Sequence, residues 1–174
     1  MADSEQGPVI QWAETPADFD AFGQLCRAYL DWCRVRYRDM PWFIDEVFGH
    51  QSLDAELKVL AAKYGPPVGR TLLAVTGEGV VAGGAYRRLS DTSCELKRLF
   101  VGDRARGLGL GRRLSEGLIA SARDDGYTVM KLDTADRLTE AVAMYQSMGF
   151  AHIPPYQTYP DRLMPHLIFM EKAL

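Results

Sequence analysis

The sequence has little histidine and little cysteine, and it lacks long apolar runs. Three histidines, His50, His152 and His166, are scattered without ligand spacing, which argues against a metal site. Three cysteines, Cys26, Cys33 and Cys94, are an odd number without zinc-finger spacing. Cys26 and Cys33 lie two helical turns apart on one face, so buried thiols in a reducing, cytoplasmic setting are expected. No stretch approaches the roughly 18 consecutive apolar residues of a membrane span, and the N-terminal MADSEQGPV lacks the apolar centre of a secretion signal. Membrane partners are therefore not expected. Charge of one sign is missing too: 20 Lys and Arg stand against 23 Asp and Glu, a formal net charge of −3, with no basic field for nucleic acid. Repeats, low-complexity segments and linkers are absent. The 174 residues suit one domain, 1–174, with residues 1–8 expected to be flexible.

What is present is a run of glycine and arginine, Arg104-Ala-Arg-Gly-Leu-Gly-Leu-Gly111. It stands between a strand-like stretch, Cys94–Val101, and an amphipathic helix that packs Leu110, Leu114 and Leu118 inward and runs to Asp124. Glycines let the main chain approach a ligand closely, and the first N–H groups of a helix lack intrahelical partners and sit at its positive end. A phosphate or pyrophosphate fits such a loop, with Arg104, Arg106, Arg112 and Arg113 nearby. The spacing is neither G-x-G-x-x-G nor that of a P-loop.

The remaining pattern is a mixed α/β one. Val9–Trp12 reads as a strand, and Thr15, Pro16 and Asp18 announce a helix that ends before Pro41. Trp42-Phe43-Ile44 looks loop-like, and a second helix is expected over Leu53–Tyr64. Thr71–Val75, Val80–Arg88 and Cys94–Val101 follow as strands joined by short turns, hence antiparallel. Alternation along the third puts Glu95, Lys97, Leu99 and Val101 on one face. Thr128–Leu132 arrives after a crossover helix and must run parallel to its neighbour. A helix over Asp136–Met148 and closing strands Phe150–Ile153 and His166–Met170 complete the chain, with a Pro- and Tyr-rich loop over Pro154–Pro165.

Four blocks carry a family likeness: C-E-L-K-R-L-F-V, R-G-L-G-L-G-R-R-L, K-L-D-T and A-x-x-M-Y-Q-S-M-G-F. Arg104, Gly107 and Gly109 match the motif [QR]-x-x-G-x-[GA], as do Arg106, Gly109 and Gly111 in an overlapping frame. From about Leu72 onward the sequence resembles the GNAT superfamily of acyl-CoA-dependent N-acetyltransferases; the first seventy residues match weakly. The resemblance implies a GNAT-like fold, with antiparallel N-terminal strands, a parallel central pair and flanking helices. It also implies acetyl-CoA as acyl donor, with its pantetheine along Leu99, Phe100 and Val101. The pyrophosphate would rest on Arg104, Arg106, Gly107, Leu108, Gly109, Leu110, Gly111 and Arg112.

The same resemblance places the Tyr145 hydroxyl near the thioester sulfur as general acid; the alternative is a core tyrosine. Glu95 matches the glutamate that histone acetyltransferases use as base, directly or through water; an ion pair with Lys97 or a grip on the acceptor's ammonium are the alternatives. Tyr29, Trp32, Tyr37, Trp42, Phe43, Tyr86, Tyr156 and Tyr159 are aromatic candidates for an acceptor cavity. Trp42 and Tyr156 stand in expected loops and are singled out as substrate contacts. The expected activity is acetyl transfer to the primary amine of a small molecule or amino-acid-like acceptor, by direct attack. Two alternatives stay open: a protein acetyltransferase acting on lysine or an N-terminal amine, and a module that binds CoA without turnover. Homodimers occur in the superfamily, but no surface stripe here demands one.

Overall fold

The first helix begins where local chemistry says it should. The computed structural model describes residues 7–174, so the expected flexibility of residues 1–6 lies outside the described residues. β1 (Val9–Trp12) leads into α1 (Pro16–Arg36) through Thr15. The Thr15 hydroxyl accepts the Asp18 N–H at 3.2 Å, and the Asp18 carboxylate accepts the Thr15 N–H at 2.9 Å. This reciprocal cap satisfies donors that the first turn leaves orphaned.

Two expectations for the next segment are corrected. α1 does end before Pro41, at Arg36, but Pro41 opens a helix, α2 (Pro41–His50), which takes up Trp42, Phe43 and Ile44. The ring that cannot continue one helix is preorganised to start another. The single helix expected over Leu53–Tyr64 is two, α3 (Leu53–Glu56) and α4 (Leu60–Tyr64). The break accompanies burial of Glu56, whose carboxylate accepts from Lys63 at 2.6 Å, Tyr64 at 2.8 Å and Arg98 at 2.9 Å. A tertiary demand outweighs helical periodicity here.

β2 (Gly69–Thr76), β3 (Gly79–Arg88) and β4 (Ser93–Val101) form the expected antiparallel meander. α5 (Leu110–Asp124) then crosses to β5 (Val129–Ala135), followed by α6 (Thr139–Ser147), β6 (Ala151–His152) and β7 (Leu167–Ala173). α6 starts later than expected because Tyr37 pins the preceding segment: its hydroxyl donates to Asp136 at 2.9 Å and accepts the Arg137 N–H at 3.0 Å. Among the described residues the seven strands order as β1-β2-β3-β4-β5-β7-β6, and only β4 and β5 run parallel. Strand alternation serves two layers: Leu72 packs with Leu114 and Leu118 of α5, while Leu73 packs with Phe22 and Leu25 of α1.

Alternation fails in β4, and the failure shapes the site. The register passes from Ala85↔Lys97 to Gly83↔Phe100, so Arg98 and Leu99 together oppose Gly84. Arg98 carries φ 58°. This bulge inverts the faces beyond Lys97: Leu99 and Val101 join the α5 side, and Phe100 turns to α1. A Cβ on Gly84 would meet Leu99 Cδ1 at 2.9 Å, so the glycine gives the bulge its room. A left-handed non-glycine residue costs on the order of 1–3 kcal/mol. Arg98 is held against that cost by Glu56, which it grips with Nε at 2.9 Å and Nη2 at 3.1 Å, and by Gln51 at 2.7 Å.

Burial pushes the Glu56 carboxyl up, but Arg98 and then Lys63 pull it further down, to about 2 from an ordinary 4.5. A carboxyl with a depressed folded pKa stabilises the fold above its unfolded value and loses that contribution as the pH falls. Glu56→Gln is expected to destabilise by about 3 kcal/mol, because Arg98 then stays buried without its partner. As the pH falls from 4.5 toward 2, the wild-type melting temperature should drop more steeply than the variant's. Parallel curves in a melting series would contradict this account.

Candidate active site

β4 and β5 pair only from Ser93↔Val129 to Glu95↔Lys131. Beyond that point β4 stays with β3 as far as Val101 and β5 stays with β7 as far as Ala135. Each strand thus turns an unpaired main-chain edge toward the other at the C-terminal ends of the parallel pair, the place where open α/β sheets receive ligands. The fork opens into a cavity of about 430 Å³, toward the small end of the roughly 300–1,000 Å³ usual for small-molecule sites. Val101, Arg106, Gly111 and Met144 line it beside the start of α5, α6 adds Ala141 and Tyr145, and α2 adds Phe43, Ile44, Val47 and Phe48.

The glycine loop stands at the α5 end. After a single 3-10 turn at Asp103–Ala105, Gly107 (φ 82°) and Gly109 (φ 69°) both adopt left-handed backbone, and Gly109 caps α5. The frame Arg104, Gly107, Gly109 therefore holds the two glycines that the backbone requires, whereas Gly111 is helical. Arg113 is the first residue of α5 to reach back, to the Gly109 carbonyl at 3.1 Å. The N–H groups of Leu110, Gly111 and Arg112 precede that bond and form the positive end of the helix. A Cβ on Gly111 would lie 3.4 Å from Met144 Sδ, narrowing the cavity where it meets the helix.

Side chains around the loop divide by role. Leu110 is core, while Leu108 is exposed. Arg104 extends into solvent and pairs with Glu78 at 3.2 Å. Arg106 lies over the Trp32 ring at 4.8 Å and donates to the Val101 carbonyl at 3.4 Å. Arg112 bonds Ser147 of α6 and lies 3.7 Å from Glu116. Of the residues expected to hold a cofactor, Leu99, Phe100, Val101, Arg106 and Gly111 line the cavity; Arg104, Gly107, Leu108, Gly109, Leu110 and Arg112 form the adjoining loop and helix start.

Tyr145 lines the cavity at 6% exposure, its ring edge-on to Phe150 at 5.6 Å. Its hydroxyl has no hydrogen-bond partner among the described residues. Burial, helped by the negative charge of Asp133, holds the phenol above its ordinary value. Glu95 is placed differently. It is fully buried, does not line the cavity, and accepts from Arg87 at 2.9 Å, Tyr156 at 2.8 Å and Gln157 at 3.2 Å. The ion pair with Lys97, expected as an alternative, is present at 3.7 Å.

The two residues singled out for substrate contact lie outside the cavity lining. Helical phase turns Phe43, Ile44, Val47 and Phe48 inward and leaves Trp42 against His166, beneath Arg162 at 4.0 Å. The Tyr156 hydroxyl is committed to Glu95. Tyr29, Trp32, Tyr37 and Phe43 do line the cavity, whereas Tyr86 and Tyr159 do not. Asp133 was missed, although an aspartate inside an apolar strand is itself a signal. It lines the cavity and accepts from Lys97 at 3.3 Å, Gln157 at 2.6 Å and Tyr159. Burial raises its carboxyl, but Lys97, Tyr159 and Gln157 outweigh that and hold it below the usual range. Cys33 also reaches the cavity, with burial pushing its thiol up to about 12.

The model of the acetyltransferase (GNAT) family matches residues 29–150. Over 163 residues the chain is 34% identical to an uncharacterized N-acetyltransferase of Schizosaccharomyces pombe, covering 92% of this chain and 91% of that protein. An acetyltransferase structure from Streptococcus agalactiae superposes with TM-score 0.76 at 23% identity, over 97% and 99% of the two chains. A GNAT acetyltransferase from Elizabethkingia anophelis with acetyl-CoA bound superposes with TM-score 0.59 at 15% identity, over 98% and 100%. At those identities the two structures speak to the fold. With the match spanning the forked strands, the glycine loop and Tyr145, the chain belongs to the acetyltransferase (GNAT) family and is an acyltransferase.

Proposed function

We propose that the protein transfers an acetyl group from acetyl-CoA to the primary amine of a small molecule, by direct attack within a ternary complex. The observation that carries this reading is one continuous cavity that joins the N-terminal end of α5 to the unpartnered Tyr145 hydroxyl and then to the apolar wall of α2. The residues fit the donor. Left-handed Gly107 and Gly109 open the backbone, the first amides of α5 suit a diphosphate, and the bare edge of Leu99–Val101 suits an extended arm bearing amides. Bound there, acetyl-CoA supplies a thioester whose carbonyl carbon bonds the amine as the C–S bond breaks, one proton passing from nitrogen to solvent and one reaching sulfur.

Tyr145 is the group to supply the proton to sulfur. Its raised pKa keeps it protonated across the neutral range, as a general acid requires. Asp133, not Glu95, is the carboxylate that lines the cavity; held ionised by Lys97, Tyr159 and Gln157, it is too weak a base to take the amine's proton. The buried Cys33 thiol stays protonated, which favours direct attack over an acyl-cysteine route. A cavity this small, walled by α2, suits a small acceptor better than a polypeptide.

Tyr145→Phe keeps the packing on Phe150 and is expected to lower kcat about 10²- to 10⁴-fold, while the rise in melting temperature produced by CoA stays the same. An unchanged kcat would reduce the tyrosine to packing. With no carboxyl of raised pKa lining the cavity among the described residues, kcat/KM should climb about tenfold per pH unit until the acceptor amine itself is deprotonated. A plateau beginning near pH 6–7, well below the amine's own ionisation, would instead reveal a base on the enzyme.

A further inference from the structure

We infer that the acceptor carries its amine on an uncharged, largely apolar body, and that α2 is the wall that selects it. This rests on the acetyl-transfer reading above and narrows it. Beyond Tyr145 the chamber is built from Phe43, Ile44, Val47 and Phe48 of α2, backed by Trp32 of α1 and by Tyr37, which caps that helix. The rings interlock: Tyr37 and Phe43 lie 4.9 Å apart, and Phe48 stands edge-on to Tyr29 at 5.9 Å. Apolar surface on the acceptor gains by burial against this wall.

Charge sharpens the inference. Six charged side chains line the cavity, the cations Arg36, Lys97, Arg98 and Arg106 and the anions Asp133 and Glu140. Each cation already has a carboxylate: Arg36 has Glu140 at 2.9 Å, Lys97 has Asp133 at 3.3 Å, Arg98 has Glu56 at 2.9 Å, and Arg106 has Asp103 at 3.1 Å. Arg36 is further committed to the Arg137 carbonyl at 3.1 Å. Among the described residues no lining charge is left over for a second charged group on the acceptor. Arg36 and Arg106 pair at the exposed mouth, but beside the buried Lys97, Arg98 and Asp133 a carboxylate or a second ammonium would be desolvated without a counterion, a costly arrangement. The reacting nitrogen escapes this penalty because it attacks as the neutral amine.

Thiol release from acetyl-CoA is to be measured with two matched pairs, 2-phenylethylamine against phenylalanine and hexylamine against 1,6-diaminohexane. Each pair shares a skeleton and differs by one charge. The singly functional amine is expected to have the higher kcat/KM in both pairs, by about 100-fold or more. Ratios within about threefold in either pair, or a preference for the doubly charged member, overturn the inference while leaving acetyl transfer in place. CoA that raises the melting temperature while no amine releases thiol takes down both. Val47→Phe, which fills the chamber from α2, should raise KM for 2-phenylethylamine about tenfold and that for ethylamine less than about threefold. Equal effects on both amines count against α2 as the selecting wall. A melt with CoA verifies folding, and Val47→Leu replaces the variant if it does not fold.

Discussion

Two parallel strands that cease to pair after Glu95↔Lys131 are the constraint on which the rest depends. Backbone amides without partners are costly when buried, so a sheet does not open in its middle unless each strand is held on its other side. β5 is held by seven residue pairs with β7, from Val129↔Ala173 to Ala135↔Leu167. β4 is held by β3, but through a bulge at Arg98 that re-aims Leu99, Phe100 and Val101. The bulge depends on a glycine opposite it and on a carboxylate brought from α3. The last residue of a one-turn helix, far from Arg98 in sequence, thereby governs the geometry of the cleft.

Buried charge in this molecule acts on position more than on net stability. Lys97 lies between Glu95 and Asp133, one carboxylate behind the cavity wall and one in it, and Gln157 donates to both. Tyr156 and Tyr159 add their hydroxyls to the same two acids. Buried ion pairs recover little of their desolvation cost, so such a cluster is better understood as fixing geometry. Here it ties the segment after Pro154 to the mouth of the fork, because the cleft leaves Asp133 without a neighbouring strand on one side. What looks in sequence like a long connecting loop is part of the site's scaffold.

The legible parts of the sequence were those written in local chemistry. The cap at Thr15, the meander turns, the parallel crossover and the glycine loop ahead of α5 each follow from residues close together in the chain. The illegible parts required a distant partner. Nothing near Arg98 announces a bulge, since Glu56 and Gly84 reach it only through the fold. Nothing near Trp42 says that its neighbour Phe43, not Trp42, faces the cavity, because a helix opening at Pro41 has to be recognised before its phase can be assigned. Glu95 was matched by position along a strand, but position does not tell whether Arg87, Tyr156 and Gln157 have already taken its oxygens.

On the proposed reading, the catalytic burden falls on placement. A thiolate with an ordinary pKa of about 8.5 departs with modest help, which one protonated phenol can give, while an amine needs only to be neutral when it arrives. Such a reaction gains most from holding its two partners in line, and well-oriented neighbours reach effective concentrations of about 10⁵ M or more. The architecture matches that need: a rigid helix end and a bare strand edge fix one partner, an apolar chamber fixes the other, and Tyr145 stands on the wall between them. Strengthening a base inside this cavity would require an acidic group freed from its cation, which would disturb the paired charges that hold the fork in shape. Positioning and electrostatic neutrality are therefore one requirement in this fold, met by the same residues.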